Sequence, residues 1–418
     1  MTKNEKIKLA GKLTRERHKS LSCKVFELKF DKSHLSKGKL NYLKRLFLEA
    51  KWLYNCMLGT DDPISFDTKI NEVLICGKDK KSETRPLDVI SSQMKQGIRE
   101  RLFHSICGLA AKKKKCVKVG RLKFKSLVSS IYLKQFDTTY KLKGKYLKLQ
   151  GFKKGFKLEG LDQIPEASEI TTANIVRKCD NYYLKVTCFV PKEEQLFERK
   201  SVGIDFGIKK SLTFSDGEKH NFQFPIPDDL KYLQRQKKNK LKKSKNNKKL
   251  DSRMSIKYNK LANQKKDAKN KIVSYITKKY EIVCIQDENI KGWHEKWFGK
   301  QVQHSILGGI MSDLKKKSHT LSLVDRYFPS TQLCSTCNTR NKELTLKDRV
   351  FKCSCGYQED RDVHAAKNIL IQGLKQLTTD TGRTSLMPVE RLTSNMVAII
   401  EPCQVDLVEA GSHNLKLW

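Results

Sequence analysis

Three acidic residues occupy places in this sequence where a carboxylate can face a ligand. Asp205 lies in the strand pattern SVGIDFGIKK, on the opposite face from Val202, Ile204 and Phe206, with Gly203 and Gly207 keeping its surroundings open. Glu288 follows the apolar run EIVCIQ, at a strand end of the kind where sites in α/β sheets gather, and Asp287 beside it is the alternative ligand. Asp362 falls in the first turn of the helical stretch DVHAAKNILIQGLKQL, on the face of Ala366 and Ile369. Carboxylates converging on one point suit hard divalent cations, which take oxygen ligands, and two such ions hydrolyse phosphodiesters. Each acid also has a plain structural role: a strand-edge turn residue, a loop acid, and a carboxylate favoured by a helix dipole beside Asp360 as N-cap. Among 45 Asp and Glu, composition alone does not select these three.

Cys334, Cys337, Cys353 and Cys355 form a second pattern, C-x2-C, fifteen residues, then C-x-C. Four such cysteines in a reducing compartment hold a structural Zn²⁺ more often than they form disulfides, and with four protein ligands no position is left open for catalysis. The alternative is a ribbon that has lost its metal and is held by packing. The other nine cysteines (Cys23, Cys56, Cys76, Cys107, Cys116, Cys179, Cys188, Cys284 and Cys403) have no motif spacing and read as reduced, mostly buried thiols.

These residues need elements to place them. CKVFELKF alternates like a half-buried strand, and Leu40, Leu43, Phe47, Ala50, Leu53 or Tyr54, and Met57 then make a helical stripe. A second helix is expected over VISSQMKQGIRERLFHSICGLAAKK. From Val117 to about Pro191 short β-rich runs separated by Gly, Asp and Asn predict a small twisted barrel, which the strand at Cys23 could join. SVGIDFGIKKSLTFSDGEKHNFQF reads as a β-meander with an Asp216-Gly217 turn. Two long basic helices are expected next, the second with Met254, Tyr258, Leu261, Lys265, Ala268, Ile272 and Ile276 on one face. Then come the strand EIVCIQ, a helix from about His304 to Lys317, a strand SLVDRYF and the helix bearing Asp362; beyond about Thr378 a loosely ordered tail is expected.

Lys and Arg number 85 against 45 acids, a formal net charge of +40. That excess repels itself unless a polyanion neutralises it, which argues against an enzyme of small metabolites and for nucleic acid, with a membrane surface as the other candidate. QKKNKLKKSKNNKK reads as a phosphate-contacting stretch, although any single lysine there is equally a solvated helix face. No run of about 18 apolar residues occurs and the N-terminus lacks a secretory apolar core, which predicts no membrane partner and a soluble cytoplasmic protein.

VGIDFGIKKSLTFSDG, QDENIKGW and CSTCNTRNKELTLKDRVFKCSCGYQEDRDVHAAKNIL resemble the three split nuclease motifs and zinc ribbon of the TnpB family, RNA-guided nucleases of insertion sequences related to miniature type V CRISPR effectors. KYNKLANQKKDAKNK, YFPSTQLCSTC and the late VEAGS extend the likeness, and LFLEAKWLYN and RLKFKSLVSSIYLKQF resemble the family's N-terminal half. The resemblance implies an α/β plus β-barrel chain: a ribonuclease-H-like (RuvC) nuclease domain over 199–330 and 356–378, a zinc ribbon over 331–355, an oligonucleotide-binding-type (wedge) barrel over 1–35 and 113–198, and a helical recognition insertion over 36–112. It assigns Asp205, Glu288 and Asp362 to two catalytic Mg²⁺ ions, with Mn²⁺ as a substitute, and the four cysteines to structural Zn²⁺. It implies as partners a guide RNA, bound by one or two copies of the protein, and double-stranded target DNA with a short flanking motif, unwound to single strands. Tyr132 and Gln135 become candidates for the flanking motif and Lys123 and Lys125 for nearby phosphates, although all four read equally well as barrel surface.

The sequence departs from the family pattern at three places. Gln286 stands where many members place a glutamate directly after the strand, His364 replaces the usual Asn beside the last acid, and the second cysteine pair is C-x-C rather than C-x2-C. Competing expectations are a compact type V CRISPR effector, an RNA-guided DNA-binding repressor without nuclease activity, and a transposase that joins DNA strands itself. Intact Asp205, Glu288 and Asp362 weigh against the repressor, and the ribbon between the second and third acids against the transposase.

Overall fold

The computed structural model describes residues 2–76, 82–192, 196–241, 244–295, 298–345 and 348–380. The expected tail, VEAGS and Cys403 lie outside them. The chain divides into two compact units between residues 194 and 195.

In the first unit α1 (Lys3–Lys19) opens on a capping box: the Glu5 amide donates to Thr2 Oγ1 and the Thr2 amide to Glu5 Oε2. Strand β1 (Leu21–Phe30) precedes α2 (Lys37–Leu58), which starts at Ser36 as N-cap and buries Leu43, Leu46, Phe47, Ala50, Leu53, Tyr54 and Met57. The stripe is wider than the periodicity alone suggests, because Glu49 on the same helix is buried too. Its carboxylate accepts hydrogen bonds from the amides of Asp88, Val89 and Ile90 and from Arg45. A hairpin, β2 (Glu72–Cys76) and β3 (Ser82–Pro86), leads to α3 (Ser92–Lys114). That helix begins three residues into the expected stretch because Ser91 is its N-cap.

Strands β4 (Ser130–Leu133), β5 (Tyr140–Lys143), β6 (Tyr146–Leu149), β7 (Phe152–Glu159), β8 (Glu169–Lys178) and β9 (Asn181–Pro191) join β1 in one antiparallel sheet of order β4-β8-β9-β1-β7-β6-β5. A flat seven-stranded sheet would hold its edges about 29 Å apart. Here the edge strands β4 and β5 are joined by residues 134–139, at most about 25 Å of extended chain. That linker is itself folded back by a Thr139 amide to Gln135 carbonyl bond and a Phe136–Tyr140 bridge. The sheet therefore curls until its edges nearly meet. Strand β1 sits between β9 and β7, so the chain from α2 to α3 is inserted between barrel strands.

The second unit is built on strands β10 (Arg199–Phe206), β11 (Leu212–Phe214), β12 (Lys219–His220), β13 (Tyr280–Gln286) and β14 (Thr320–Val324). Their order is β12-β11-β10-β13-β14, with the first three antiparallel and β13 and β14 parallel to β10. Gly217, at φ 93°, makes the turn between β11 and β12. Helices α4 (Asp228–Lys238) and α5 (Lys245–Lys279) follow; α5 buries Ile272, Val273 and Ile276 near its C-terminus, while Tyr258 on the expected inner face is exposed. After the short α6 (Ile290–Glu295) comes α7 (Gly299–His304), and the helix expected from about His304 to Lys317 is α8 (Leu307–Lys317), which starts three residues later, beyond a break at Ser305, whose hydroxyl donates to the Val302 carbonyl. The expected strand SLVDRYF ends at Val324, because Asp325 accepts a hydrogen bond from the Tyr327 amide at 2.7 Å and turns the chain. A small hairpin, β15 (Val350–Lys352) and β16 (Gln358–Asp360), leads into α9 (Arg361–Asp380).

The sheet of this unit is covered on both faces. Val202, Ile204, Phe206, Val283 and Ile285 pack with α5 and α8, while Cys284 and Val324 pack with Ile369 of α9. Glycine permits the second contact: a Cβ on Gly203 would lie 2.1 Å from the Ala366 carbonyl oxygen, and one on Gly373 2.5 Å from Cys284 Sγ. Among the described residues no helix is long and apolar enough to cross a membrane. Cysteines there form no disulfide; Cys188 and Cys284 are buried, Cys56, Cys107 and Cys179 half-buried, but Cys23 and Cys116 exposed, so the scattered thiols are less buried than expected.

Candidate functional site

Alternation along β10 turns Val202, Ile204 and Phe206 to one layer and leaves Gly203 and Asp205 facing α9. Asp362 is the second residue of α9; its amide and that of Val363 donate to Asp360 Oδ1, which makes Asp360 the N-cap. Glu288 lies just beyond β13, in a loop turned back by a hydrogen bond from its amide to the Gln286 carbonyl. All three acids are half-buried.

They feel one another. Burial first, then the negative charges of Asp362 and Glu288, push the Asp205 carboxyl up to about 7, against a partial opposing effect of Arg361. Burial also raises Glu288, against the pull of Arg326. Three half-buried carboxylates, two of which act on the third, with no direct ion pair on Asp205 or Glu288 among the described residues, form a donor set that fits divalent cations. The trio is looser than the cysteine group: among the described residues only the four cysteines have all their ligand atoms within 4.8 Å of one another.

The alternative acid, Asp287, faces elsewhere. Its carboxylate accepts from Lys315 Nζ at 2.7 Å and Arg326 Nη2 at 2.9 Å, and Arg326 Nε donates to its carbonyl at 2.8 Å. The bond from Lys315, with both cations nearby, holds its pKa below the usual carboxylate value. Asp287 thus fastens the loop while Glu288 stays uncommitted. Lys315 and Arg326 are distant in sequence, and no spacing marks them as its partners.

Strand register adds a point the residue pattern did not carry. Ile204 pairs with Ile285, so one step further Gln286 stands beside Asp205 on the α9 face. Gln286 is 5 % exposed; its Nε2 donates to the carbonyls of Asp325, Arg326 and Phe328, and its Oε1 accepts from Ser330 Oγ.

Cys334 Sγ lies 3.7 Å from Cys355 Sγ and Cys337 Sγ 3.5 Å from Cys353 Sγ, so the C-x-C spacing brings all four thiols together. A hydrogen bond from Thr339 is the first cause lowering Cys337 to about 6, which favours a thiolate. Four thiols at these separations form a site able to hold a tetrahedral metal ion such as zinc.

The N-terminal candidates are placed differently. Tyr132 on β4 is half-buried against α3, where a Cβ on Gly97 would come within 2.9 Å of its ring. Lys125 Nζ lies 3.7 Å from the centre of the Tyr54 ring, and the Lys125 backbone exchanges hydrogen bonds with the Asn55 side chain. Gln135 and Lys123 are exposed.

Two family models match the chain: "Probable transposase" over residues 184–295 and "Cas12f1-like, TNB domain" over residues 310–369. A protein of Streptomyces pristinaespiralis named as a candidate RNA-guided DNA endonuclease is 30 % identical over 220 residues, covering 50 % of this chain and 55 % of its own length. A TnpB-like protein of Acanthamoeba polyphaga mimivirus is 30 % identical over 227 residues, 46 % of this chain and 41 % of its own. The chain thus spans about half the length of these relatives. A solved Cas12f1-sgRNA-target DNA complex contains a chain that aligns over 84 % of this one and 99 % of itself, with 14 % identity and a TM-score of 0.48. With both family models falling mainly on the acid-bearing unit and the cysteine ribbon, and TnpB-like proteins among the relatives, the chain is similar to the TnpB family over these segments.

Proposed function

We propose that the protein is an RNA-guided DNA endonuclease that cuts at the Asp205, Glu288 and Asp362 site. The observation that carries this reading is the placement of three carboxylates, on a strand, a strand-end loop and a helix start, near enough that the charges of Asp362 and Glu288 add to burial in pushing Asp205 up to about 7. The order β12-β11-β10-β13-β14, antiparallel then parallel, supports a ribonuclease-H-like (RuvC) unit around it. Two Mg²⁺ ions bound by these acids would supply an activated water and charge stabilisation at the leaving oxygen. The chain's own contribution is to hold the three carboxylates half-buried, with Arg361 and the Asp287–Arg326 pair setting the field around them. The cysteine ribbon is assigned structural Zn²⁺, and the barrel with its inserted helices is assigned the flanking motif of the target. The net charge of +40 supports a guide RNA and target DNA as partners, with base pairing reading the sequence.

A second reading has an observation of its own. Gln286 fills the position directly beside Asp205, which favours a guided DNA binder that does not cut. One experiment decides. A plasmid library with randomised flanking bases is exposed, in Mg²⁺, to protein co-expressed with its native locus, beside Asp205→Ala and Glu288→Gln. Guide-dependent cutting lost in both variants supports the nuclease; guided binding without cutting establishes the binder; neither activity removes both.

A further inference from the structure

Two of the chain's departures from the family pattern, Gln286 and His364, meet in one buried polar network. His364 is wholly buried, Asn368 is 3 % and Ser330 6 % exposed. His364 Nε2 lies 2.7 Å from the Leu333 carbonyl; Asn368 Nδ2 donates to that carbonyl at 2.6 Å and to the Ser330 carbonyl at 2.7 Å. The Ser330 hydroxyl then donates to Gln286 Oε1 at 3.1 Å, and Gln286 Nε2 gathers the carbonyls of Asp325, Arg326 and Phe328. His364 Nδ1 is buried without a protein partner, so the proton is assigned to Nε2 as donor to Leu333.

This network has three ends. Gln286 is two residues before Glu288, and His364 two residues after Asp362. Leu333 directly precedes Cys334, and the His364 ring stacks on Phe351, two residues before Cys353, at 4.0 Å and 14°. Both arms of the ribbon therefore touch His364, and the segment Asp325–Leu333, which links β14 to the ribbon, is hydrogen-bonded to Gln286 at the end of β13. A surface loop of such length is ordinarily the mobile part of a fold; here side chains from a strand and a helix satisfy its carbonyls.

We propose that Gln286, Ser330, Asn368 and His364 are positioning residues that couple the cysteine ribbon to the carboxylates, so that zinc in the ribbon tightens divalent-cation binding at Asp205, Glu288 and Asp362. This rests on the metal assignments above. Coupling of this kind is reciprocal and typically about five-fold or more.

The test measures Mn²⁺ binding to the full chain by electron paramagnetic resonance, with zinc content measured in parallel. Zinc-loaded wild type is expected to bind Mn²⁺ at least about five-fold more tightly than zinc-free protein. Gln286→Met, which keeps the shape and removes the donor, should lose that difference with zinc content unchanged. His364→Phe keeps the stack on Phe351 and should behave like Gln286→Met, whereas His364→Gln, which restores a donor to Leu333, should regain the difference. Where the zinc-free chain does not hold its fold, zinc-loaded wild type and Gln286→Met are compared directly, and equal Mn²⁺ affinity overturns the proposal. Mn²⁺ binding indifferent to both zinc and Gln286 also overturns it while leaving the carboxylate site intact. Mn²⁺ binding that Asp205→Asn does not weaken removes the carboxylate site itself, and the coupling with it.

Discussion

Gly203→Ala is the sharpest single perturbation of the proposed site, because it touches no acid and forms no new charge. The added methyl would sit 2.1 Å from the Ala366 carbonyl oxygen and 2.8 Å from both the amide nitrogen and the Cβ of Leu370. Two of those atoms are backbone, so no rotamer change relieves the contact. Restoring a tolerable separation of about 3.2 Å moves α9 away from β10 by about 1 Å, and overpacking of this kind costs about 1–3 kcal/mol. Ala366 is one helical turn beyond Asp362, and Gly203 two residues before Asp205. The shift therefore opens the distance between two proposed metal ligands directly. Misplacement of a reacting group by about 1 Å costs on the order of 10²-fold in rate.

The assay is guided plasmid cleavage at saturating target, beside guide-RNA binding and a thermal melt. Cutting should fall on the order of 10²-fold with binding intact and the melt lowered. Gly373→Ala is the internal control. Its Cβ would meet Cys284 Sγ at 2.5 Å and Cβ at 2.7 Å, on the same helix but three turns from Asp362. It should destabilise comparably and impair cutting less. Wild-type cutting and melting by Gly203→Ala would refute the seating of α9 on β10, and equal loss of cutting by both variants would show that fold damage, not ligand placement, governs the effect.

Asp205→Asn should stabilise the cation-free protein above neutral pH. A carboxyl raised from 3.8 to about 7 disfavours its own ionised form in the folded state, so this group's penalty grows as pH rises from about 4 through 7 and is absent below about 4; its size is bounded by about 4 kcal/mol. Melts at pH 5 and pH 8 should show the variant's advantage larger at the higher value, narrowed by Mg²⁺. Glu288→Gln should slow cutting on the order of 10²–10³-fold, whereas Asp287→Asn, which loses only partly exposed ion pairs worth up to about 1 kcal/mol, should leave most activity; single-turnover rates separate them. Cys355→Ser should bring zinc content to background by mass spectrometry and lower the melt. In the first unit, Glu49→Gln should cost about 3 kcal/mol by denaturant unfolding, because a buried carboxylate holding three amides and Arg45 loses its charge.

Short-range pattern made several of these features legible. The alternation Val202, Ile204, Phe206 against Gly203, Asp205 assigns faces from one strand alone, and Asp360 before an apolar helical period marks the start of α9. The cysteine spacing needs no fold at all. What stayed hidden depends on residues brought together from afar. Whether Asp287 or Glu288 faces the site is decided by Lys315 and Arg326, which hold Asp287. The end of β14 turns on an Asp325 side chain competing for a backbone amide, which hydrophobicity does not register. Tyr132 read either as a flanking-motif contact or as barrel surface; neither reading anticipates that its ring packs where α3 carries a glycine, a complementarity between residues 35 positions apart.

Gln286 and Glu288 pose one physical question together. A glutamate beside Asp205 would place a third negative charge against an already raised carboxyl, and it would lack the amide that now donates to Asp325, Arg326 and Phe328. The glutamine trades a charge in the strand for an ordered loop at its end. That trade leaves a working cation site only if another carboxylate approaches from the same side. Glu288, turned back onto the Gln286 carbonyl and free of the ion pairs that occupy its neighbour, is the residue placed to do so. The two positions then stand or fall as a unit. Gln286→Glu in a Glu288→Gln background should not restore cutting, because the returned carboxylate costs the loop three hydrogen bonds. Full restoration in single-turnover cleavage would mean that the strand position is the working ligand and that Glu288 merely lies near it.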